Sequence, residues 1–527
     1  MADQTHTKRF FWPVWAFVFA YRLTHIFVYA VDVNPSVILY LFPIVGLAFF
    51  LMRLGRSAPN ARSDAGWWLP LAPLTLWMIW HVFVQVFGAF SIPAILFHLQ
   101  YDLGSNDVAS EVALQIANAI LPFVLVATCW VAFARGNRQL QRFGRAMVLP
   151  FLVVNPFITA TAAYLKSAYS TSSISLASYY TDPSLAAAPT EKPKNLIRVI
   201  LESTERTIWN EDLFGHVAAP LKKLEQRGFS ATGIHQIELT GWTLAGTVAS
   251  DCGVPLFSLG AIDRNEFSNI ADFMPNATCL GDVLARDGYR QVFIKGAQLS
   301  FSGTDRYLAA HKYEETYGFD ELAGEERVSD NDWGLDDERV FEAAFQQIEL
   351  LKREAKPFHM TLQTLGGHSP RGYISNGCTG RSDILSYPND TLRALACTNA
   401  LTAEFVDRLE RSGLMEDTVL VIQSDHLAMR NEIYSMLEGQ ERRNMLIIIK
   451  EGISGQTAPK AGSMIDVLPT ILEAMNYELP NDRAGLGTSL FSSAPTLVEQ
   501  IGLPFLDHSI LADTALRDRL WGLKPST

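Results

Sequence analysis

The chain has 527 residues and a net charge of −12, long enough for more than one domain, and no basic tract, which argues against nucleic acid as a partner. The first third is apolar, with arginine in its loops, and the acidic residues concentrate after Thr190, so a membrane part and a soluble part are expected. No G-x-G-x-x-G follows a predicted strand and no G-x-x-x-x-G-K-[ST] occurs, which leaves nucleotide binding without support.

Five apolar segments come first, at about Phe10–Val31, Ser36–Leu54, Trp67–Phe90, Val112–Ala134 and Ala146–Leu165. Each is near the roughly 20 residues that a spanning helix needs. The first is too long, and too closely followed by the second, for a cleaved signal peptide. Trp12, Trp67 and Trp68 suit the interfaces. Lys8 and Arg9 precede the first segment, Arg53, Arg56 and Arg62 follow the second, and Arg135, Arg138, Arg142 and Arg145 follow the fourth. The intervening loops carry Asp32, Asp102, Asp107 and Glu111 with no lysine or arginine. The positive-inside rule then places the N-terminus in the cytoplasm, and an odd number of spans places everything after Leu165 outside it. Arg22, His25 and His81, inside the apolar segments, read as packing or snorkelling groups. The expected division is a transmembrane domain over 1–165, a linker rich in Ser, Thr, Ala and Pro over 166–194, and an extracytoplasmic domain over 195–527.

From Asn195 onward, strand and helix signals alternate. The apolar run from Ile197 ends abruptly in Glu202, the pattern of a buried central strand that opens onto a site. A helix closed by Gly228 follows, then a short helix over Leu244–Ser250. C-L-G-D-V-L-A-R-D-G-Y reads as a helix before the strand Gln291–Lys295, Asp337–Glu354 as a helix before the strand Phe358–Thr364, and Leu392–Ser412 as a helix before the strand Thr418–Gln423. A strand at Met445–Lys450 and a helix with Asp466 near its start complete the pattern. Such alternation implies an α/β domain with a mostly parallel central sheet and helices on both faces.

Three of these strands end in polar residues: Glu202 on the first, His368 after Phe358–Thr364, and Asp425 with His426 after Thr418–Gln423. If the strands are parallel neighbours, all four face one crevice beyond the carboxyl ends of the sheet. An isolated Asp-His would read as a cap and a packed histidine; three polar strand ends together favour a site for Mn²⁺ or Zn²⁺. A nucleophile is offered by E-L-T-G-W-T-L-A-G-T-V-A-S, with Thr240, Thr243, Thr247 and Ser250 as the hydroxyls. Thr243 stands at the expected helix N-terminus, where the dipole favours a phosphate, and is the best of the four on chemistry alone.

Cys129 lies in an apolar segment, and Cys252, Cys279, Cys378 and Cys397 lie in the soluble part without C-x-x-C spacing. Of the three possible connectivities, the sequence-local pairs Cys252–Cys279 and Cys378–Cys397 are favoured in an oxidising compartment; four free buried thiols are the alternative.

The blocks T-L-A-G-T-V-A-S-D-C-G-V-P-L-F, C-L-G-D-V-L, N-D-W-G-L-D-D-E, S-D-H-L-A-M and I-D-V-L-P-T-I-L…G-L-G-T-S-L-F resemble, in that order, the phosphoglycerol transferases of osmoregulated periplasmic glucans. More widely they are similar to lipoteichoic acid synthases and to the sulfatase and alkaline phosphatase superfamily, over most of Asn195–Phe491. The resemblance implies an N-terminal five-helix transmembrane bundle in the bacterial inner membrane, joined to a periplasmic sulfatase-like α/β domain. It implies a metal, Mn²⁺ ahead of Zn²⁺ or Mg²⁺, held by Glu202, Thr243, Asp425 and His426, with Thr243 as nucleophile. His368 and Trp333 would bind substrate. The expected reaction moves phosphoglycerol from phosphatidylglycerol to a periplasmic glucan through a phosphoglycerol-threonine intermediate. The alternatives are a lipoteichoic acid synthase-like polymerase, a phosphoethanolamine transferase or a sulfatase-family hydrolase; the C-x-P-x-R or S-x-P-x-R of a sulfatase nucleophile is not found beside Thr243. Trp242 and Trp333 would offer aromatic surface to sugar rings.

Overall fold

The computed structural model describes residues 66–87, 92, 95, 110–134, 137–169, 174–257, 273–324, 328–354 and 356–523. The expected spans Phe10–Val31 and Ser36–Leu54 lie outside the described residues. The chain divides into two compact units, one of Met1–Thr75 with Ile120–Phe151, the other of Leu76–Ala119 with Leu152–Thr527.

Among the described residues, two helical stretches are long and apolar enough to cross a membrane, Ile116–Ala134 and Arg138–Lys166; Leu71–Gln85 is a shorter apolar helix. The span expected at Ala146–Leu165 falls on two consecutive helices, Arg138–Val153 and Pro156–Tyr169. Asn155-Pro156 makes the break: proline has no N–H to give the preceding turn, and Asn155 Oδ1 accepts the N–H of Phe157 at 3.1 Å, as a cap for the new helix. In the first unit, Trp130 Nε1 donates to Trp67 O at 2.7 Å, which satisfies the indole.

The α/β domain lies wholly in the second unit. Its sheet contains β1 (Asn195–Leu201), β2 (Phe229–His235), β3 (Arg290–Lys295), β4 (Glu315–Tyr317), β5 (Phe358–Gln363), β6 (Thr418–Ser424), β7 (Asn444–Ile449), β8 (Gln456–Ala458) and β9 (Gly462–Ser463). The order is β4-β3-β5-β1-β6-β7-β2-β8, with β9 also beside β2. β1 is parallel to both β5 and β6, so the three strands with polar ends are immediate neighbours, as the crevice requires. β7 runs antiparallel to β6 and to β2, so the sheet is mixed though mostly parallel. The sequence pattern assigns no strand to Phe229–His235, where Gly233 and small polar residues interrupt the alternation, yet it forms β2.

Both faces of the sheet are covered. Ile197, Val199, Leu201, Met360, Leu362, Leu420 and Ile422 pack with helices Asp337–Leu351 and Asp390–Arg411 on one side. Leu196, Val419, Val421, Leu446 and Ile448 pack with helices Thr243–Cys252 and Val467–Ala474 on the other. On that second face β1 carries Arg198, fully buried and ion-paired with Asp251, with Nη2 donating to Ser250 Oγ at 3.0 Å and Gln423 Oε1 at 3.2 Å. The hydroxyls of Tyr307 and Tyr313 donate to Asp251 Oδ2 at 2.9 and 3.2 Å. A buried charge pair persists only with such a hydrogen-bonded surround, and this one ties the C-terminal turn of the Thr243–Cys252 helix to the central strand. The described part of the stretch expected as a linker packs on the same domain: Leu176 is buried in this core, and Thr181 and Ala187 make β-bridges to Gly485 and Glu478.

Both sequence-local disulfides, Cys252–Cys279 and Cys378–Cys397, are bonded, and Cys129 is free. Peptide mapping under non-reducing conditions is expected to recover these two crosslinked pairs from the native protein. Alkylation of all four residues without reductant would contradict the pairing and an oxidising compartment alike.

Candidate active site

Glu202 directly follows β1, and the next residue, Ser203, sits at φ 54°, a left-handed conformation uncommon outside glycine. The strain has a visible use. The turned backbone lets Ser203 N donate to Asp425 Oδ1 at 2.9 Å while Ser203 Oγ donates to Glu202 Oε1 at 2.7 Å, so one residue holds both carboxylates. Asp425 Oδ1 also accepts the N–H of His426 at 2.7 Å. Its other oxygen, Oδ2, is buried without a hydrogen-bond partner. His426 Nδ1 lies 2.8 Å from Leu427 O, a pure acceptor, so Nδ1 carries a proton and Nε2 is the ring nitrogen turned toward the carboxylates. That Nε2 stands 3.3 Å from Asp425 Oδ2 and 3.6 Å from Glu202 Oε1.

Thr243 completes the group as the first residue of the helix Thr243–Cys252. Its Oγ1 is 3.3 Å from Glu202 Oε2 and 3.5 Å from His426 Nε2. The other three hydroxyls are engaged with backbone: Thr240 Oγ1 donates to Ile237 O at 2.7 Å, Thr247 Oγ1 to Thr243 O at 2.9 Å and Ser250 Oγ to Thr247 O at 3.0 Å. The helix comes this close because residue 246 is glycine. A Cβ there would stand 1.9 Å from Asp425 O. Gly246→Ala is therefore expected to push the helix off the end of β6, lower stability by about 1–3 kcal/mol and remove most turnover as Thr243 withdraws. An unchanged melting point together with unchanged turnover would refute this packing.

Buried, acceptor-only and convergent, the cluster has the donor set of a divalent cation site, and Glu202, Asp425 and His426 offer ligand atoms within 4.8 Å of one another. The electrostatics agree. Burial pushes Asp425 well above the usual carboxylate range, and the charge of Glu202 adds to this. Burial also pushes Glu202 up, but the charges of His368 and His426, together with hydrogen bonds from Asp425 and Ser203, outweigh it and hold that carboxyl below its ordinary value. A second cluster, Cys252, Cys279 and His311, is not a metal site, because its two sulfurs are bonded to each other.

His368 follows β5 on a loop held by Asp337, whose carboxylate accepts Leu365 N at 2.6 Å and Gly366 N at 3.1 Å. Its ring lies 3.9 Å, centroid to centroid, from that of Trp333, and Phe301 meets Trp333 edge-on at 5.8 Å. The two expected substrate residues thus form one wall. Trp242 does not join them: it is 4% exposed, part of the core beneath the Thr243 helix, and offers no surface to a sugar. Sequence reasoning also passed over Ser203, Gly246 and Lys295. Only Lys295 carried a signal, since it ends β3 at the same edge of the sheet, buried to 5% exposure, and donates to Thr304 Oγ1 at 3.1 Å.

The family described as Sulfatase matches residues 194–477. The chain is 31% identical over 467 residues to phosphoglycerol transferase I of Salmonella heidelberg (strain SL476), covering 85% of this chain and 60% of the relative. It is 30% identical, with the same coverage, to phosphoglycerol transferase I of Escherichia coli O127:H6 (strain E2348/69 / EPEC). It therefore spans about 60% of the length of these relatives. Among solved structures, it is similar to a protein of the alkaline phosphatase superfamily from Vibrio parahaemolyticus, with TM-score 0.47 and 20% identity over 64% of this chain and 80% of that one. The lipoteichoic acid synthase LtaP from Listeria monocytogenes gives TM-score 0.46 and 18% identity over 60% and 81%.

Proposed function

The chain belongs to the sulfatase family, and on that premise we propose that it is a membrane-anchored transferase that moves phosphoglycerol from phosphatidylglycerol to a periplasmic glucan. The observation that carries the reading is Thr243 Oγ1 at a helix N-terminus, 3.3 Å from Glu202 Oε2 and 3.5 Å from His426 Nε2. Both relatives compared above are named phosphoglycerol transferase I, which supports the group transferred.

Glu202, Thr243, Asp425 and His426 would hold one divalent cation, Mn²⁺ ahead of Zn²⁺ or Mg²⁺. Bound there, it supplies positive charge to the threonine oxygen and to the phosphate. Thr243 Oγ1 attacks the phosphorus of phosphatidylglycerol, its proton directed toward Glu202 Oε2. The new Oγ–P bond forms as the P–O bond to diacylglycerol breaks, and His368 gives the departing oxygen its proton. The free N–H groups of the first turn of the Thr243 helix face the phosphate. Phosphoglycerol remains on Thr243 until an acceptor hydroxyl, giving its proton to His368, attacks the same phosphorus; the new P–O bond forms as the Oγ–P bond breaks, and the Thr243 oxygen recovers the proton held at Glu202 Oε2. Trp333, packed against His368 with its ring tilted, borders the glycerol pocket. The five expected spans would hold this domain at the donor bilayer with the N-terminus in the cytoplasm and residues 195–527 in the periplasm, which raises the effective concentration of site and lipid.

The test uses the purified full-length protein, phosphatidylglycerol labelled in its head-group glycerol, and a β-glucan. Diacylglycerol release with label in the glucan is expected. Label extending a glycerolipid would make the protein a polymerase of the lipoteichoic acid type, and no diacylglycerol at all would refute the donor.

A further inference from the structure

We propose that a cavity of about 440 Å³ at the end of β2, lined by Arg206, Thr232, Gly233, His235, Glu441 and Arg443, seats a neutral carbohydrate unit of the acceptor. Its role as an acceptor site rests on the transferase reading above, which says nothing of where the acceptor binds.

The cavity is built by an irregularity in β2. Phe229–Ala231 pair with β7, the register then shifts, and pairing resumes at Ile234 with Asn444. Thr232 and Gly233 are the displaced residues. On the other edge of β2, the connection between β8 and β9 passes so near that a Cβ on Gly233 would stand 2.3 Å from Lys460 O. Bulges of this kind concentrate beside active sites, where they terminate pairing and re-aim side chains.

The cavity lies at the same edge of the sheet as the Thr243 cluster. β7 is antiparallel to β6, so Arg443, just before β7, lies at the sheet edge where β1 and β6 end. Arg206 belongs to the loop that begins at Glu202, and its N–H donates to Arg443 O at 2.8 Å. Gln236, next to His235, accepts the N–H of Leu427 at 2.8 Å, and Leu427 O is the group that receives His426 Nδ1. One run of bonded neighbours joins the cavity wall to the ligand cluster.

The chemistry favours hydroxyl groups over an anion. Arg206 is ion-paired with Glu225, and Arg443 with Glu441, so both charges are already compensated. His235 is half-buried, and its ring nitrogens have no hydrogen-bond partner among the described residues. Burial, and then the Arg443 guanidinium, keep it below the ordinary histidine range, so at neutral pH it presents one donor and one acceptor. A sugar hydroxyl both donates and accepts, and finds here guanidinium and imidazole donors beside a carboxylate, an imidazole and a hydroxyl as acceptors. A phosphate only accepts, and would have to displace Glu441. The volume suits a small ligand unit, within the roughly 300–1,000 Å³ of binding pockets. No aromatic ring lines the cavity, so recognition would run through hydroxyls rather than ring stacking.

The probe is a linear β-gluco-tetrasaccharide, titrated by calorimetry into the full-length protein in detergent without donor lipid. Saturable binding is expected, weakened at least roughly tenfold by His235→Ala and, separately, by Arg443→Gln, each with a melting point near wild type. Glycerol phosphate and inorganic phosphate should fail to displace the sugar. Equal binding in both variants would overturn the assignment, as would displacement by either phosphate compound, which would mark an anion site. If Arg443→Gln does not fold, His235→Ala decides alone. Diacylglycerol release from phosphatidylglycerol by the wild type separates the two claims. Release without sugar binding leaves the transferase standing and removes this site; sugar binding through His235 without release removes the transferase and keeps the site.

Discussion

Thr243→Ala is expected to lower diacylglycerol release from phosphatidylglycerol by at least about 10³-fold while the protein keeps its melting point. The size follows from the chemistry: without a hydroxyl at this position no covalent phosphoglycerol adduct forms, and what remains is positioning of water against a bound phosphodiester. The folded state has little to lose. Among the described residues, Thr243 Oγ1 has the 3.3 and 3.5 Å contacts to Glu202 and His426, whereas the hydroxyls of Thr240, Thr247 and Ser250 satisfy backbone groups. Thr243→Ser should keep measurable turnover, because it restores the attacking oxygen. Wild-type-like rates in Thr243→Ala would sink the assignment and direct attention to Thr247.

Asp425→Asn and His426→Ala are each expected to strip the bound metal, weakening it by more than the roughly 10–100-fold that loss of a group supporting a ligand costs. Asp425→Asn is the cleaner of the two. Asparagine retains an Oδ1 for the N–H groups of Ser203 and His426, at 2.9 and 2.7 Å, and replaces only the partnerless Oδ2 by an amide that cannot coordinate. Folding should survive, with metal content and turnover falling together. Elemental analysis of the purified variants is the measurement, independent of activity. Unchanged stoichiometry in both would make Asp425 and His426 structural residues and remove the basis for a cation in the mechanism.

Much of this architecture was legible in the linear chain because it is local. An apolar β-branched run that stops at a carboxylate marks a buried strand with a polar end, and Glu202, His368, Asp425 and His426 were found in that way. The helices before β3, β5 and β6 were found by their period, and the disulfides by sequence proximity. β2 was not, because Thr232 and Gly233 break its alternation, and the reason for that break is the bulge, which exists only against β7. The break at Asn155-Pro156 was written in the sequence and passed over amid a continuous apolar run.

What the residues determined by themselves is the inventory of the site: which strand ends are polar, which hydroxyls precede a helix, which cysteines are near one another. Tertiary structure alone decided how that inventory is used. Glu202 and Asp425 meet because β1 lies between β5 and β6, a non-local hydrogen-bond register that no spacing along the chain encodes. Of four hydroxyls, Thr243 alone reaches the cluster, since Gly246 lets its helix close on Asp425 O. Trp242 sank into the core and Trp333 went to the wall of the crevice, although both are tryptophans in motif blocks. Burial depends on which face of the packed sheet a side chain meets, and that is fixed only when the layers assemble.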